Sequence, residues 1–247
     1  MARPAVSALD RSSPVDTSCM LVCRLGLQEY ERAWALQRKI AEARRRDRLP
    51  DVLLLLEHPP TYTVGRLGQP EHILLSDQEL ARRRLAVHYV DRGGDVTFHG
   101  PEQLVIYPIF KLARNRADCL RYLRCAEAAI LECVREFGVS AVLHQGYSGI
   151  WVEGAKLCAI GVKVDSGGVT THGMAMNVNT DLSYFSHIIP CGIADRGVTS
   201  LQEVLGRRIS MQRVMRTVTA SLARQFEKDV RSLSAARLYR MLERVGS

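Results

Sequence analysis

The sequence contains no long hydrophobic run. Its longest aliphatic string, residues 52–56, ends at Glu57, whereas a helix needs about 20 apolar residues to cross a bilayer. The N-terminal residues also lack the basic segment followed by an apolar one that forms a secretory signal. We therefore predict a cytoplasmic protein with no membrane partner, in which residues 1–18 form a loose arm.

The seven cysteines form no metal or disulfide pattern. No C-x-x-C pair occurs, and no pair of histidines follows at the spacing of a zinc finger. A reducing cytoplasm suits such an odd and irregular set of thiols. The sequence also lacks the G-x-G-x-x-G fingerprint and the P-loop. We therefore predict neither a metal nor a nucleotide cofactor.

Aromatic residues are scarce, at 6%, although the chain is basic, with a formal net charge of +8. Nucleic-acid-binding proteins combine basic patches with aromatic side chains or a recognisable motif, so we predict no nucleic-acid partner. Two interpretations of the charge remain open, namely solvated helix faces and a docking surface for an acidic protein. The basic residues concentrate at Arg38–Lys39, Arg44–Arg46 with Arg48, Arg82–Arg84, and between Arg207 and Arg244.

Hydrophobic periodicity predicts helices alternating with short strands. Apolar residues recur at helical spacing in 27–46, 117–137 and 211–226, and the capping-box pattern S-x-x-E at Ser76 and Ser200 marks two further helix starts. Runs rich in β-branched residues predict strands at 51–57, 61–65, 86–91, 96–98, 103–110, 149–152, 156–164 and 169–179. This arrangement predicts an α+β fold, in which helices flank a mixed, mainly antiparallel sheet.

Four polar segments are candidates for chemistry. They read RGGDVTFHGPEQ (92–103), KLCAIG (156–161), HGMAMN (172–177) and IIPCGI (188–193). Taken singly, each has a structural interpretation: a hairpin turn, an edge lysine, a core histidine and a buried thiol. The most informative residue is Cys191, because Pro190 and Gly192 hold it on a shaped turn. A nearby cation such as Lys156 would lower the pKa of that thiol and make it a nucleophile.

Together and in this order, the four segments resemble the motifs of the lipoyl(octanoyl) transferase family, over about residues 20–225. The resemblance implies a fold like that of biotin and lipoate protein ligases, in a single catalytic domain at 19–228 followed by a basic extension at 229–247. It implies that Cys191 accepts the acyl group and that Lys156 tunes the thiol and acts as acid and base. Glu102 departs from the pattern, since the family usually has glycine there. The implied acyl-binding residues are Arg92, Gly93, Gly94, Asp95, Val96, Thr97, Phe98, His99, Ala159, Ile160, Gly161, Gly173, Met174 and Ala175.

The resemblance also implies two protein partners. Acyl carrier protein would donate an octanoyl group. A lysine of a lipoyl domain, in a 2-oxoacid dehydrogenase complex or in the glycine cleavage H protein, would accept it. Two other functions stay open at this point: an ATP-dependent lipoate or biotin ligase of the same fold, and a non-catalytic basic binding module. A metal site made of His99, His172 and Cys191 is disfavoured, because their spacing matches no zinc motif.

Overall fold

The computed structural model describes residues 16–113, 115–189 and 197–246; Cys191 therefore lies outside the described residues, as does most of the predicted N-terminal arm. The strands are β1 Cys19–Leu27, β2 Asp51–Glu57, β3 Thr61–Val64, β4 Ala86–Tyr89, β5 Val96–His99, β6 Gln103–Ile109, β7 Val142–His144, β8 Tyr147–Val152, β9 Ala155–Val164, β10 Thr170–Asn177 and β11 Asp229–Leu233. The helices are α1 Tyr30–Arg45, α2 Asp77–Arg83, α3 Arg116–Arg135, α4 Leu201–Leu205, α5 Met211–Gln225 and α6 Ala235–Gly246, with 3₁₀ turns at Pro70–His72 and Leu182–His187.

A large mixed sheet forms the centre of the fold, in the order β11-β1-β2-β6-β10-β9-β8-β7. The pairs β11–β1 and β1–β2 are parallel, and every other pair in this sheet is antiparallel. The predicted α+β class with a mainly antiparallel sheet is therefore confirmed. None of the helices in the described ranges is long and apolar enough to cross a membrane.

The central strands are apolar on both faces because helices cover both. In β2, Leu53 and Leu55 face the core under α3 and α5, whereas Leu54 and Leu56 face the core under α1 and α6. Since successive strand residues point to opposite sides, one run of leucines supplies both cores. The sequence VLLLL is the expected pattern of such a doubly covered strand.

The segment predicted as a basic C-terminal extension adds a strand and a helix to the fold. Here β11 pairs in parallel with β1, and Leu238 of α6 is buried in the core that α1 covers. Lys228, just before β11, contacts the buried carboxylate of Asp51 through its Nζ at 2.9 Å. The basic residues of this region therefore include one that ties the chain end to β2.

A small second sheet, β4-β3-β5, packs around its own aromatic core. Phe98 of β5 stacks on Tyr184, with ring centroids 4.5 Å apart and planes inclined by 3°. The hydroxyl of Tyr62 in β3 donates to the carbonyl of Tyr184 at 2.9 Å. These contacts hold the Leu182–His187 turn against the small sheet.

We predict that Asp51→Asn lowers the free energy of unfolding by about 3–5 kcal/mol, the usual cost of breaking a buried ion pair. The Asp51 carboxylate accepts from Arg44 Nε at 2.7 Å and lies 2.9 Å from Lys228 Nζ, so the change removes the buried anion that both cations share, while Arg44 keeps its pair with Asp47. Urea unfolding measures the loss. The control is Glu42→Gln, which removes half-exposed pairs worth about 0–1 kcal/mol. Equal losses in the two variants would contradict the prediction.

Candidate active site

A pocket lies on the α1-covered face of the large sheet, between β9, β10 and the segment that leads into β5. It collects residues from three of the four polar segments, which are far apart in the sequence. The predicted site residues that line it are Arg92, Gly93, Gly94, Asp95, Val96, Thr97, His99, Lys156, Ala159, Ile160, Gly161, Gly173, Met174 and Ala175.

Phe98 is the predicted binding residue that the structure separates from this group. Its ring belongs to the aromatic core of the small sheet, whereas its strand neighbours Thr97 and His99 line the pocket. Because side chains alternate along a strand, a motif that runs through β5 cannot present every residue to one side.

Small side chains on two paired strands form the floor of the pocket. Gly161 lies opposite Gly173, and Ala159 lies opposite Ala175. Directly opposed residues share a face of the sheet, so these four positions leave a shallow depression over β9 and β10. The intervening pair, Ile160 and Met174, lines the pocket and is also part of the core beneath the sheet.

A β-bulge determines which way Lys156 faces. Cys158 pairs with Ile150, but the next pair joins Lys156 to Trp151, so β9 contains one extra residue there, Leu157. Without the bulge, alternation would put residues 156 and 159 on opposite faces. With it, both line the pocket, and Lys156 Nζ lies 4.8 Å from the centroid of the Trp151 ring.

Glycines allow the segment before β5 to approach the large sheet closely. The Gly93 N–H donates to the carbonyl of Val162 at 3.1 Å. A Cβ at Gly161 would lie 2.9 Å from the Gly93 oxygen, and one at Gly65 would lie 2.4 Å from the Gly94 oxygen. A side chain at Gly161 would therefore push the wall of the pocket away from its floor, and one at Gly65 would displace Gly94 within the wall.

Arg92 is a buried structural anchor in this wall. Its guanidinium donates to the Thr63 carbonyl at 2.6 Å through Nη2 and to the Gly93 carbonyl at 2.9 Å through Nη1. The first bond joins the segment to β3 of the small sheet, and the second braces the glycine turn. These contacts account for an arginine at this position independently of any ligand.

A buried cluster of histidine and tyrosine side chains forms the inner end of the pocket. His99 bonds Gln103 Oε1 at 2.9 Å and Thr63 Oγ1 at 3.2 Å. Burial holds the pKa of His99 well below its usual range. Burial likewise lowers the pKa of His58 to about 4, while its Nε2 accepts from the Tyr107 hydroxyl at 2.9 Å. Both imidazoles are therefore neutral near pH 7.

His172 joins this cluster to the pocket wall. Its Nε2 lies 2.7 Å from Oδ1 of Asp91, the residue before Arg92, and its backbone N–H donates to Gln37 Oε1 at 2.7 Å. Its φ of +58° is costly for a residue with a Cβ. At the next residue, a Cβ on Gly173 would come within 2.1 Å of the Ile106 oxygen. In this His-Gly pair, His172 thus adopts a backbone conformation that is costly for it, whereas Gly173 has no room for a side chain.

Sequence reasoning missed part of the pocket lining. Gln103, His172 and Asn177 belong to the recognised motifs, which could have identified them. Tyr30 could be interpreted only as part of a helical apolar stripe, and Ser148 carried no signal. The lining residues outside the prediction are Tyr30, Gln103, Tyr107, Ser148, His172, Asn177 and Phe185.

The chain on either side of residues 190–196 is anchored at the site. Before this segment, the Ile189 N–H donates to the His72 carbonyl at 2.9 Å. After it, Gly197 accepts from the Lys156 N–H at 3.0 Å, and the Thr199 N–H donates to the Lys156 carbonyl at 3.0 Å. The chain that follows residue 196 therefore pairs with the backbone of Lys156.

Comparison with known proteins agrees with this geometry. Residues 29–223 match the family model of the lipoyl protein ligase A/B catalytic domain. The chain is 47% identical over 218 residues to an octanoyltransferase of Chloroflexus aggregans, covering 87% of this chain and 98% of that one. It is 49% identical over 196 residues to an octanoyltransferase of Rubrobacter xylanophilus, covering 79% and 88%. The chain belongs to the octanoyltransferase family. Octanoyltransferases are acyltransferases, so this chain is an enzyme of that class.

The fold is also that of a solved bipartite lipoate protein ligase from Thermoplasma acidophilum. The TM-score is 0.72 at 14% identity, and the match covers 93% of this chain and 92% of the archaeal one. The predicted lipoate-ligase-like architecture is thus confirmed.

Glu102, the departure from the octanoyltransferase pattern, retains the backbone conformation that favours glycine, with a φ of +65°. Its carbonyl accepts from the Asn179 N–H at 3.0 Å, and its carboxylate accepts from Arg208 Nη2 at 2.8 Å. The side chain thus makes an ion pair that glycine could not make, and the turn before β6 keeps its shape.

We predict that Gly161→Ala reduces octanoyl transfer and costs about 1–3 kcal/mol of stability, as overpacking does elsewhere. The added methyl would lie 2.9 Å from the Gly93 backbone oxygen, which is closer than a real Cβ comes, so the backbone would have to shift. Thermal unfolding and initial rates measure the two effects. In the control, Gly197→Ala, the methyl meets no atom within 4 Å. Stability unchanged by Gly161→Ala would contradict this account of the close approach.

Proposed function

We propose that this octanoyltransferase moves an octanoyl group from acyl carrier protein, through a thioester on Cys191, to a lysine of a lipoyl domain. The observation that carries the proposal is the pocket, in which Lys156 and a floor of glycine and alanine occupy one face of β9 and β10. Membership of the octanoyltransferase family supports octanoyl as the group that is transferred. The anchored residues on either side of the segment 190–196 support Cys191 as the nucleophile.

Chain length favours an encounter between Cys191 and the pocket. Cys191 is two residues beyond Ile189, so covalent geometry limits the separation of their Cα atoms to about 7 Å. Ile189 is hydrogen-bonded to His72, whose Nδ1 lies 2.8 Å from the Oδ1 of the pocket residue Asp95. The other end of the segment pairs with Lys156 itself. These anchors support a thiol within reach of the Lys156 amine.

Three of the other thiols are poor candidates for the nucleophile because they are buried. Cys158 is fully buried, and burial raises the pKa of its thiol far above the ordinary value. Burial likewise raises the pKa of Cys23 to about 11 and that of Cys133 to about 12. A thiol attacks as its thiolate, so these three side chains are unreactive near pH 7.

In the first proposed step, the Cys191 thiolate attacks the carbonyl carbon of the donor thioester. A new C–S bond forms, the bond to the carrier's thiol breaks, and that thiol leaves with the proton that Lys156 held. An ammonium within about 4–6 Å of the Cys191 thiol would lower its pKa by roughly 1–3 units. Each unit corresponds to about 1.4 kcal/mol in favour of the thiolate.

In the second step, the amine of the acceptor lysine attacks the Cys191 thioester. A C–N bond forms and the C–S bond breaks. Lys156 takes the proton from the amine, and the resulting ammonium again stabilises the released Cys191 thiolate. Thioester exchange and amide formation balance without ATP. A ligase that makes an acyl-adenylate would need ATP, so the dependence on ATP separates this proposal from that alternative.

The floor of the pocket suits an unbranched acyl tail. Glycine at 161 and 173 and alanine at 159 and 175 leave room over the sheet that larger residues would fill. Burial of each methylene contributes about 0.8 kcal/mol. Neighbouring chain lengths therefore differ by only a few-fold in affinity for such a slot.

The acceptor in this proposal is a lipoyl domain of a 2-oxoacid dehydrogenase or the glycine cleavage H protein. The archaeal lipoylation system that contains the ligase of similar fold includes an E2 lipoyl domain. The lipoyl protein ligase A/B family also supports an acceptor of this kind.

We predict that Cys191→Ala abolishes the acyl-enzyme. The wild-type protein mixed with octanoyl–acyl carrier protein should gain the mass of one octanoyl group, and hydroxylamine, which cleaves thioesters, should remove it. Intact-mass spectrometry without ATP measures both. Cys119→Ala, a change at a partly buried thiol, is the control and should behave as wild type. A stable octanoyl adduct on Cys191→Ala would overturn the proposed nucleophile.

We predict that Lys156→Met slows both half-reactions and moves the pH profile of Cys191 alkylation upward by about 1–3 units, because the thiolate loses its cation. Iodoacetamide labelling between pH 6 and 10, followed at Cys191 by peptide mass analysis, measures the shift. Lys163→Met is the control, since Lys163 lies further along β9 and pairs with Asp91. An unchanged profile in Lys156→Met would contradict electrostatic activation.

A further inference from the structure

The structure distinguishes the basic clusters of the sequence by whether their charges are already paired. Arg44 makes ion pairs with Asp47 and Asp51. Arg45 pairs with Glu42 and Asp165, and Arg46 pairs with Glu42. Several arginines near the C-terminus are also paired, as Arg208 is with Glu102. Contacts within the fold account for these paired arginines.

The arginines at the end of α2 differ from these. Arg82, Arg83 and Arg84 are all exposed, and in the described part of the chain no carboxylate lies within ion-pair distance of them. Glu79, one turn earlier, exerts a weak attraction on Arg82 and Arg83, but its carboxylate is occupied by the Ser76 capping box. Three adjacent positive charges are therefore left facing solvent.

This group of charges lies next to the residues that precede the segment 190–196. Arg83 Nη1 is 3.4 Å from His187 Nε2, and the backbone oxygen of His187 accepts from the Leu74 N–H at 2.9 Å. His187 precedes the segment 190–196 by only a few residues. Leu74 is itself 56% exposed, so an apolar side chain lies at the surface beside these charges.

We propose that Leu74, Arg82, Arg83 and Arg84, which we call the α2 patch, form the docking surface for the acidic acyl carrier protein that delivers the thioester. The inference rests on the proposed function and specifies which surface of the enzyme the donor meets. An acidic helix with an apolar side chain complements an arginine row beside an exposed leucine. Complementary charge of this kind mainly accelerates association.

The position of the α2 patch explains why docking there would be productive. It contacts His187, which also bonds the Tyr62 hydroxyl through Nδ1 at 3.1 Å and is thereby fixed to the small sheet. The same small sheet carries the pocket residues Thr97 and His99 on β5. A carrier bound at α2 therefore presents its thioester at the side of the pocket from which the Cys191 segment starts.

The test compares two charge-reversed triple variants. R82E/R83E/R84E alters the α2 patch. R121E/R135E/R216E makes the same change in net charge at exposed arginines of α3 and α5, on the sheet face away from the pocket. Each is assayed with octanoyl–acyl carrier protein and with octanoyl-pantetheine, which bears the same thioester but no protein surface. A Leu74→Asp variant tests the apolar part of the patch.

We expect R82E/R83E/R84E to lower kcat/KM for octanoyl–acyl carrier protein by at least about tenfold at low salt, within the range of electrostatic steering. The rate with octanoyl-pantetheine should be unchanged, and the rate with the carrier protein should lose most of its salt dependence. Leu74→Asp should act in the same direction. The α3/α5 variant should resemble wild type.

Four results would overturn the docking surface. They are a rate with the carrier protein within twofold of wild type, equal losses in both triple variants, an equal loss with octanoyl-pantetheine, and patch-dependent binding of a DNA duplex instead of the carrier. Failure of the wild-type enzyme to form an acyl-enzyme from either donor would instead refute the proposed function. The two failures are thus distinguishable.

Discussion

The pocket depends on the close contact between the segment 92–94 and strand β9. The backbone hydrogen bond from Gly93 to Val162 brings the two sheets so close that a side chain at Gly161 would not fit, and the bonds of Asp91 with Lys163 and His172 reinforce this contact. Arg92 supports this contact from the opposite side by bonding β3. The small sheet thereby becomes a wall over the large one, and a slot remains between them. Without this contact, β9 and β10 would present only a flat surface of glycine and alanine to solvent.

The second constraint is the bulge in β9, because it brings a cation to the floor of that slot. Strand alternation by itself would separate Lys156 from Ala159 and Gly161, and one extra residue reverses the direction of the lysine. Lys156 also accepts and donates the backbone bonds that hold the chain after residue 196. The backbone of Lys156 therefore anchors the chain that follows the segment 190–196. In the proposed mechanism its side chain would also lower the pKa of the Cys191 thiol.

Most of the fold could be predicted from the sequence. The apolar runs, the turn residues and the capping box at Ser76 indicated the principal helices and strands, because each of these signals is local. Strands β1, β7 and β11 and helix α6 escaped prediction. Strands β1 and β11 are parallel neighbours whose pairing connects residues more than two hundred positions apart, and a pairing over that distance leaves no local signature. The predicted charge clusters were likewise real, but only the fold distinguishes the paired arginines at 44–46 from the solvent-facing ones at 82–84.

The sequence by itself determined the chemistry that is available: a thiol between proline and glycine, a lysine in a glycine-containing strand, and motifs with the spacing of a known family. It also determined the small residues of the pocket floor, since side-chain volume is a property of the residue. The tertiary structure alone decided which of those residues face one another. It directed Phe98 toward the core of the small sheet and Lys156 toward the pocket. It also added Tyr30 and Tyr107, from other elements, to the pocket lining. The reason is physical: side-chain direction depends on strand register, bulges and the packing of one sheet on another, and these arise from contacts between distant parts of the chain.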